Sequence, residues 1–419
     1  MNGRMLTAIS RYGVRVAPGT EAIVEQCKRA GQLVQGPAID QFERAFEARI
    51  GQGSAIAASY GRMAFYHMLK ALELPAGSEI VVPALTFWVI PELARAAGLR
   101  PVFADINPDT FTLDPASLEQ AIGPRTVAVV PTHLYGLPCD MDPIMDIARR
   151  HRLAVVEDCA HALGATYRGR HVGTFGDGAL FSFQTLKPLN AYGGGLALVR
   201  DAAVAKRVRE QAASFPWPSD DRILKRLRMG NLQRLFTSPG VFTATAFPIL
   251  WAASWFDWNP DVYLWEPIRR LDTLPPSYAE RFSNVQAAIG LAGLERLDDW
   301  TAATQAHARK MDAALKDLPG VQTPRVPPHC VHVYYQYCVY TPDRDSVVTR
   351  SVRQGVDLET LHVDVCSRLP LFSEFQTSAP GAERSEQAIQ VPVYASLNDE
   401  QMARIATTLR RVLIRNRSS

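Results

Sequence analysis

A chain of 419 residues, 47% hydrophobic and 21% charged, has the makings of a soluble globular protein of about two domains with a large core. Its 45 Lys and Arg nearly balance 42 Asp and Glu, for a net charge of +3, which excludes nucleic acid as a principal partner. Six cysteines without CxxC or metal-ligand spacing, and a start (MNGRMLTAISRYGVRVAPG) with no apolar signal core, read as a cytosolic chain with reduced thiols and no metal site.

Residues 1–35 form an arm with a helix near Thr20–Gln32, and a second helix covers Ile39–Arg49 with Ile39, Phe42, Phe46 and Ile50 at helical spacing. Ser54–Ser59 reads as a strand, and Tyr60-Gly61-Arg62 opens a helix over Met63–Leu72. Strand, tight turn and helix N-terminus make a ready anion site, because free N–H groups and the helix dipole point at it. Glu79–Pro83 is the next strand, with Thr86-Phe87-Trp88 just beyond it. Strands at Pro101–Asp105 and Val127–Pro131 follow, the latter running into Thr132-His133, and a helix over Asp142–His151 returns the chain to Leu153. Repeated strand–helix–strand units of this length imply a mostly parallel sheet with right-handed crossovers.

The stretch Val155–Gly195 carries the chemistry. Strands Leu153–Val156, Ala179–Phe183 and Leu196–Val199 lie in or beside it, each next to a polar or glycine-rich turn, where open α/β sheets hold their ligands. Asp158 sits just past the first strand; Ser182 and Lys187 sit at and beyond the second. Taken singly, such an Asp is usually a helix cap or turn former and such a Lys a solvated loop residue. As a set they suit pyridoxal 5'-phosphate (PLP): a lysine amine binds its aldehyde, an aspartate keeps the ring nitrogen protonated, and hydroxyls and backbone N–H groups take the phosphate.

EDCAHALGA from Glu157, GTFGDGALFSF from Gly173, then Lys187 and Gly193–Gly195 resemble, in order and spacing, the DegT/StrS family of sugar aminotransferases. The resemblance extends from about Gly36 to Asp298. It implies an α/β protein, a fold-type-I PLP transferase. Residues 1–300 would form a large domain with a mostly parallel central sheet, and 301–419 a small α+β C-terminal domain built on Tyr334–Tyr340 and helices near Asp345–Gln354 and Asp399–Arg415. A single long helix, Leu291–Lys316, would lead from one to the other.

By the same resemblance Lys187 and Asp158 are the catalytic pair, Lys187 binding the cofactor and Asp158 facing the pyridine nitrogen. His161 lies near the ring oxygen, Ser182 takes the phosphate, and Phe87, ahead of Trp88, stacks on the ring. Gly61 and Arg62 form the phosphate turn, with Arg62 standing where relatives carry Thr; its side chain either adds a contact or points to solvent. Glu157 is structural, and His133 lies near the cofactor or is a satisfied turn residue. Arg281 falls where relatives reach the phosphate of the neighbouring subunit, although Ala279 replaces their Asn; this implies a homodimer with a shared active site. Lysine rather than histidine at 187 favours amino transfer over sugar dehydration.

Two departures bear on the substrate. Between about 201 and 276 the chain is longer than the family pattern: a basic stretch (Lys206, Arg207, Arg209, Arg222, Lys225, Arg226, Arg228) precedes an uncharged one, Thr237–Phe256, with Trp251, Trp255, Trp258 and Trp265 towards and beyond its end. Pro239, Gly240 and Pro248 interrupt it, which excludes a membrane span. It either packs in the dimer interface or over the active site, or it forms a peripheral lipid contact through 222–265 at the inner membrane face. The segment Leu361–Cys366 also departs from the family pattern. The expected activity is ping-pong transfer of an amino group from glutamate or glutamine to a nucleotide-linked keto-sugar or related carbonyl, through pyridoxamine 5'-phosphate. The rivals are a hydrophobic or lipid-linked acceptor, a PLP-dependent lyase or dehydratase, and a PLP-binding regulatory scaffold.

Overall fold

The computed structural model describes residues 7–256, 267–360 and 363–415. Trp258, Trp265, Leu361 and His362, singled out above, lie outside the described residues.

A seven-stranded sheet organises the chain. Its strands are β1 (Ser54–Ala58), β2 (Glu79–Pro83), β3 (Arg100–Ala104), β4 (Thr126–Val129), β5 (Ala154–Asp158), β6 (Gly178–Ser182) and β7 (Gly195–Val199), in the order β1-β7-β6-β5-β4-β2-β3. Only β7 runs against its neighbours; the remaining pairings are parallel. Residues 180 and 181 show why these strands are apolar almost throughout. Leu180 packs with Met63, Phe65 and Val82 on one face, whereas Phe181 packs with Phe42, Phe46 and Leu198 on the other. A strand covered on both faces shows no polar alternation.

Helices α1 (Thr20–Arg29), α2 (Ala38–Ile50), α3 (Gly61–Ala71), α4 (Val89–Ala96), α5 (Pro115–Ala121), α6 (Met141–His151) and α7 (Ala202–Ser214) accompany the sheet. Three differences from expectation are local. α1 stops at Arg29 because Gly31 takes a left-handed φ of 65°. Asp158 is the last residue of its strand rather than beyond it. The single helix expected over Leu291–Lys316 is two: with α8 (Asp220–Thr237), α9 (Pro239–Ala244) and α10 (Ala246–Ala253) filling the insertion, the chain continues as α11 (Asn284–Leu294) and α12 (Leu297–Leu315). Arg296, at φ −102° and ψ −5°, breaks the ladder between them, and its N–H turns back to Gly293 O.

Beyond α12 a two-stranded antiparallel sheet, β8 (Tyr337–Tyr340) with β9 (Ala388–Val391), packs with α13 (Arg344–Arg353), α14 (Pro380–Arg384) and α15 (Asp399–Arg415). Met311, Leu315, Val347, Ile389, Ile405 and Leu409 fill its core. The N-terminal arm joins this layer: Ile9 N–H donates to Gly355 O at 2.9 Å, and Arg11 forms a 2.6 Å ion pair with Asp357. It then reaches the loop after Lys187. Arg15 donates to Pro188 O at 3.0 Å, and Asn190 Nδ2 donates to Arg15 O at 2.8 Å.

Candidate active site

The C-terminal ends of β1, β5 and β6 and the start of β7 meet at one edge of the sheet, over a cavity of about 380 Å³. Gly61, Arg62, Phe87, Asp158, His161, Ser182 and Lys187 all line it. Seven of the eight residues expected at the site are thus brought together; Arg281 is not.

Glycines make the crowding at this edge possible. A Cβ on Gly61 would lie 2.8 Å from Phe181 O and 3.0 Å from Ser182 Cβ, and one on Gly195 would lie 2.0 Å from Gly61 N. The first turn of α3 therefore rests directly on the ends of β6 and β7, with Ser182 beside it. This is a cradle of backbone at a helix N-terminus, shaped for a phosphate. Arg62 turns inward and is buried, so the solvent alternative is removed. Its guanidinium lies 5.2 Å from the Phe87 ring and 4.9 Å from the Tyr278 ring, and it donates to the Tyr278 hydroxyl. Phe87 and Trp88 separate cleanly: Phe87 lines the cavity, whereas Trp88 is buried in the core.

Lys187 is partly open to the cavity yet ringed by protein, its Nζ 4.9 Å from the centre of the Tyr335 ring. Burial lowers its ammonium to about 8; Asp158 opposes the shift and Arg62 adds to it. Asp158 is itself pushed up by burial, against the Ala160 N–H it accepts at 2.9 Å and the charge of Lys187. A cation held at its carboxylate would relieve that cost, as a protonated pyridine nitrogen does. His161 stacks on Tyr335, with ring centroids 4.1 Å apart. The buried Thr86 and Thr132 hydroxyls in the cavity wall have no hydrogen-bond partner among the described residues. Amine, acid, cradle, aromatic wall and orphaned hydroxyls fit the functional groups of PLP.

A prediction follows from the lysine. Only the neutral amine attacks an aldehyde, and the neutral fraction rises with pH through the amine's pKa. Uptake of PLP by the cofactor-free protein, followed by absorbance, is expected to rise with pH with a midpoint at about 8. A midpoint near the ordinary lysine value would mean the amine is not desolvated.

Glu157 has the structural role expected of it. One carboxylate oxygen accepts from Phe175 N–H at 2.7 Å and Gly176 N–H at 2.8 Å; the other accepts from Gly173 N–H at 2.7 Å and meets His133 Nε2 at 3.0 Å. His133 Nδ1 accepts from Cys139 N–H at 3.0 Å, so the proton of the neutral ring sits on Nε2. His133, Glu157 and Cys159 lie close enough to hold a metal ion, but this bonding already occupies their carboxylate and imidazole atoms.

Arg281 stands elsewhere, its guanidinium carbon 3.8 Å from the centre of the Trp217 ring, in a separate cleft with Gly36, Glu43 and Arg209. Sequence reading missed Tyr335, Arg226 and Gln233, which all line the cavity. Arg226 and Gln233 come from α8, in the insertion. Arg226 donates to the Tyr60 hydroxyl at 2.9 Å and lies 5.0 Å from that ring's centre. The signal was available: Ile223, Leu227 and Gly230 are a buried stripe at i, i+4 and i+7, which docks α8 beside the cavity. Gly230 admits the Tyr192 ring, 2.2 Å from where a Cβ would stand.

A lysine and an aspartate at adjoining strand ends, over a phosphate-shaped cradle in a mostly parallel sheet, define a fold-type-I PLP-dependent aminotransferase. The chain belongs to the DegT/DnrJ/EryC1/StrS aminotransferase family, whose pattern matches residues 18–410. It is 32% identical over 391 residues to GDP-perosamine synthase of Caulobacter vibrioides, covering 90% of this chain and 91% of that one. It is 31% identical to UDP-N-acetyl-3-dehydro-alpha-D-glucosamine 3-aminotransferase of Acidithiobacillus ferrooxidans, covering 88% of each. Among solved structures, DesV of S. venezuelae superposes with a TM-score of 0.75 at 28% identity, over 94% of this chain and 93% of that one. AtS13 of Actinomadura melliaura gives a TM-score of 0.78 at 26% identity, over 97% and 100%.

Proposed function

We propose that this aminotransferase moves an amino group from glutamate or glutamine to the keto group of a nucleotide-linked sugar. The observation that carries the reading is the meeting of Lys187, Asp158, Ser182 and the Gly61 turn in one cavity; the names of its relatives supply the substrate class. PLP, when bound, supplies the aldehyde that takes the amino group and a ring that accepts electrons. Lys187 Nζ holds the cofactor at rest and carries the proton between substrate carbon and cofactor. Asp158 keeps the ring nitrogen protonated, with the neutral His133 and Glu157 fixing the end of its strand. Phe87 would cover the ring, His161 would stand by its oxygen, and Ser182, Gly61 and Arg62 would take the phosphate.

In this reading Arg281, outside its own chain's cavity, serves the partner's phosphate, so the working unit is a cytosolic homodimer of chains divided near residue 300. A lyase or dehydratase on the same scaffold is the rival, and lysine at 187 speaks against the dehydratase. The deciding experiment is to add glutamate or glutamine to the yellow holoenzyme and then supply nucleotide-linked keto-sugars. Loss of the visible band with donor and its return with acceptor is expected. A band that persists with every donor would remove amino transfer.

A more hydrophobic acceptor is the second reading, favoured by the contribution of the atypical α8 to the cavity wall. On either reading Arg226 faces the acceptor. Arg226→Ala is expected to raise the acceptor KM about tenfold, the worth of one charge-assisted hydrogen bond, with kcat little changed. Steady-state kinetics in acceptor checks this; an equal fall in kcat would move Arg226 to the cofactor.

A further inference from the structure

Among the described residues, most of the outer face of the insertion is left uncovered. α8 already buries Ile223 and Leu227 against Tyr192, Val285 and Ile289. Yet Met229, Leu232 and Phe236, spaced i, i+3 and i+7 on its other side, are exposed. α10 repeats the pattern: within it only Ala253 is buried, while Ile249 and Trp251 are exposed, and Trp255 and Phe256 just beyond it are 55% and 76% exposed. Large apolar side chains gathered in one short stretch of a folded chain mark a surface that meets something else.

Charge says what. From Arg222 to Phe256 there are five basic residues (Arg222, Lys225, Arg226, Arg228 and Arg234) and no acidic one. Arg222 pairs with Glu280 and Arg226 with Tyr60. Lys225, Arg228 and Arg234 are exposed and form no ion pair among the described residues. Lys225 stands one helical turn before Met229, on the same side of α8. An apolar face with Trp and Phe, with cations beside it and acids only at its margins (Asp220, Asp221 and Asp257), matches the headgroup region of an anionic bilayer. No helix among the described residues is long and apolar enough to cross a membrane.

The anchoring is firm enough to transmit such a contact. Thr243 Oγ1 accepts from Ala8 N–H at 2.7 Å, and Arg353 bonds Ser254 O and lies 3.9 Å from the Trp255 ring centre, which holds α9 and α10 on the arm and α13. We infer that the outer face of α8 and α10, through Met229, Leu232, Phe236, Trp251, Trp255 and Phe256 with Lys225 and Arg228, docks the enzyme on anionic lipid. α8 carries Arg226 and Gln233 into the cavity wall, so docking sets the active site beside the lipid surface. The inference stands apart from the acceptor assignment.

The test is co-sedimentation of the holoenzyme with phosphatidylcholine vesicles, with and without phosphatidylglycerol. Binding is expected with the anionic vesicles only, and its loss is expected at about 1 M salt, where the Debye length is about 3 Å. Trp251→Ser/Trp255→Ser/Phe256→Ser is expected to lower the partition at least about tenfold, from lost apolar burial. Lys225→Gln/Arg228→Gln, which leaves the apolar residues in place, is expected to lower it about fivefold per charge. Both variants should keep the holoenzyme absorbance. Wild type that stays in the supernatant at low salt overturns the inference. So does a fall in molar mass of the aromatic variant by light scattering, which would assign the face to a second copy of the chain.

Discussion

Lys187→Ala is expected to lower turnover at least about 10⁴-fold, the range of a positioned acid–base group, and to lose covalent attachment of the cofactor as well. Nothing near Lys187 can replace its amine. Arg62, whose charge acts on Lys187, is buried among Phe87 and Tyr278 and donates to the Tyr278 hydroxyl. The variant should still bind PLP, because the Gly61 turn, Ser182 and Asp158 are untouched, but with the absorbance of the free aldehyde. Added donor amine should convert that spectrum slowly and without release of the keto product. Turnover within about a hundredfold of wild type would show that another group carries the proton. Small primary amines in the buffer should restore part of the rate, since the cavity then has room for them.

Glu157→Ala is expected to be the most damaging single change to the fold around the site. It would leave the N–H groups of Gly173, Phe175 and Gly176 and the Nε2 proton of His133 without an acceptor, all in the protein interior. Each stranded donor costs about 1–3 kcal/mol, so the sum is a large part of a total stability of about 5–15 kcal/mol. Thermal unfolding is the measurement, and soluble protein is expected to be scarce. Glu157→Gln separates the causes. It keeps one acceptor oxygen but presents an N–H₂ to donors, so it should be destabilised less than Ala and bind PLP weakly, because β5, which ends in Asp158, loses its brace. An unchanged melting temperature for Glu157→Ala would mean that water replaces the carboxylate and that the Asp158 position does not depend on it.

Residues 157–195 were legible because their chemistry is local: an acid ending a strand, a serine ending the next, a lysine four to five residues on, and glycines where backbones meet. Gly61, Phe87 and Ser182 could be read for the same reason, as each is fixed by its own turn. Even the insertion's two characters, basic and then uncharged, stood in the residue order. Tertiary structure alone decided that Arg62 turns inward and that Arg281 lies against Trp217. It alone brought Tyr335 and Arg226 to the site across large sequence separations, and set Arg15 of the arm against the loop after Lys187. The physical reason is one of range. Turn chemistry and strand burial act within a few residues and leave their mark there, whereas the partner across a cavity is set by how the helices and sheet pack, which no short stretch of sequence encodes.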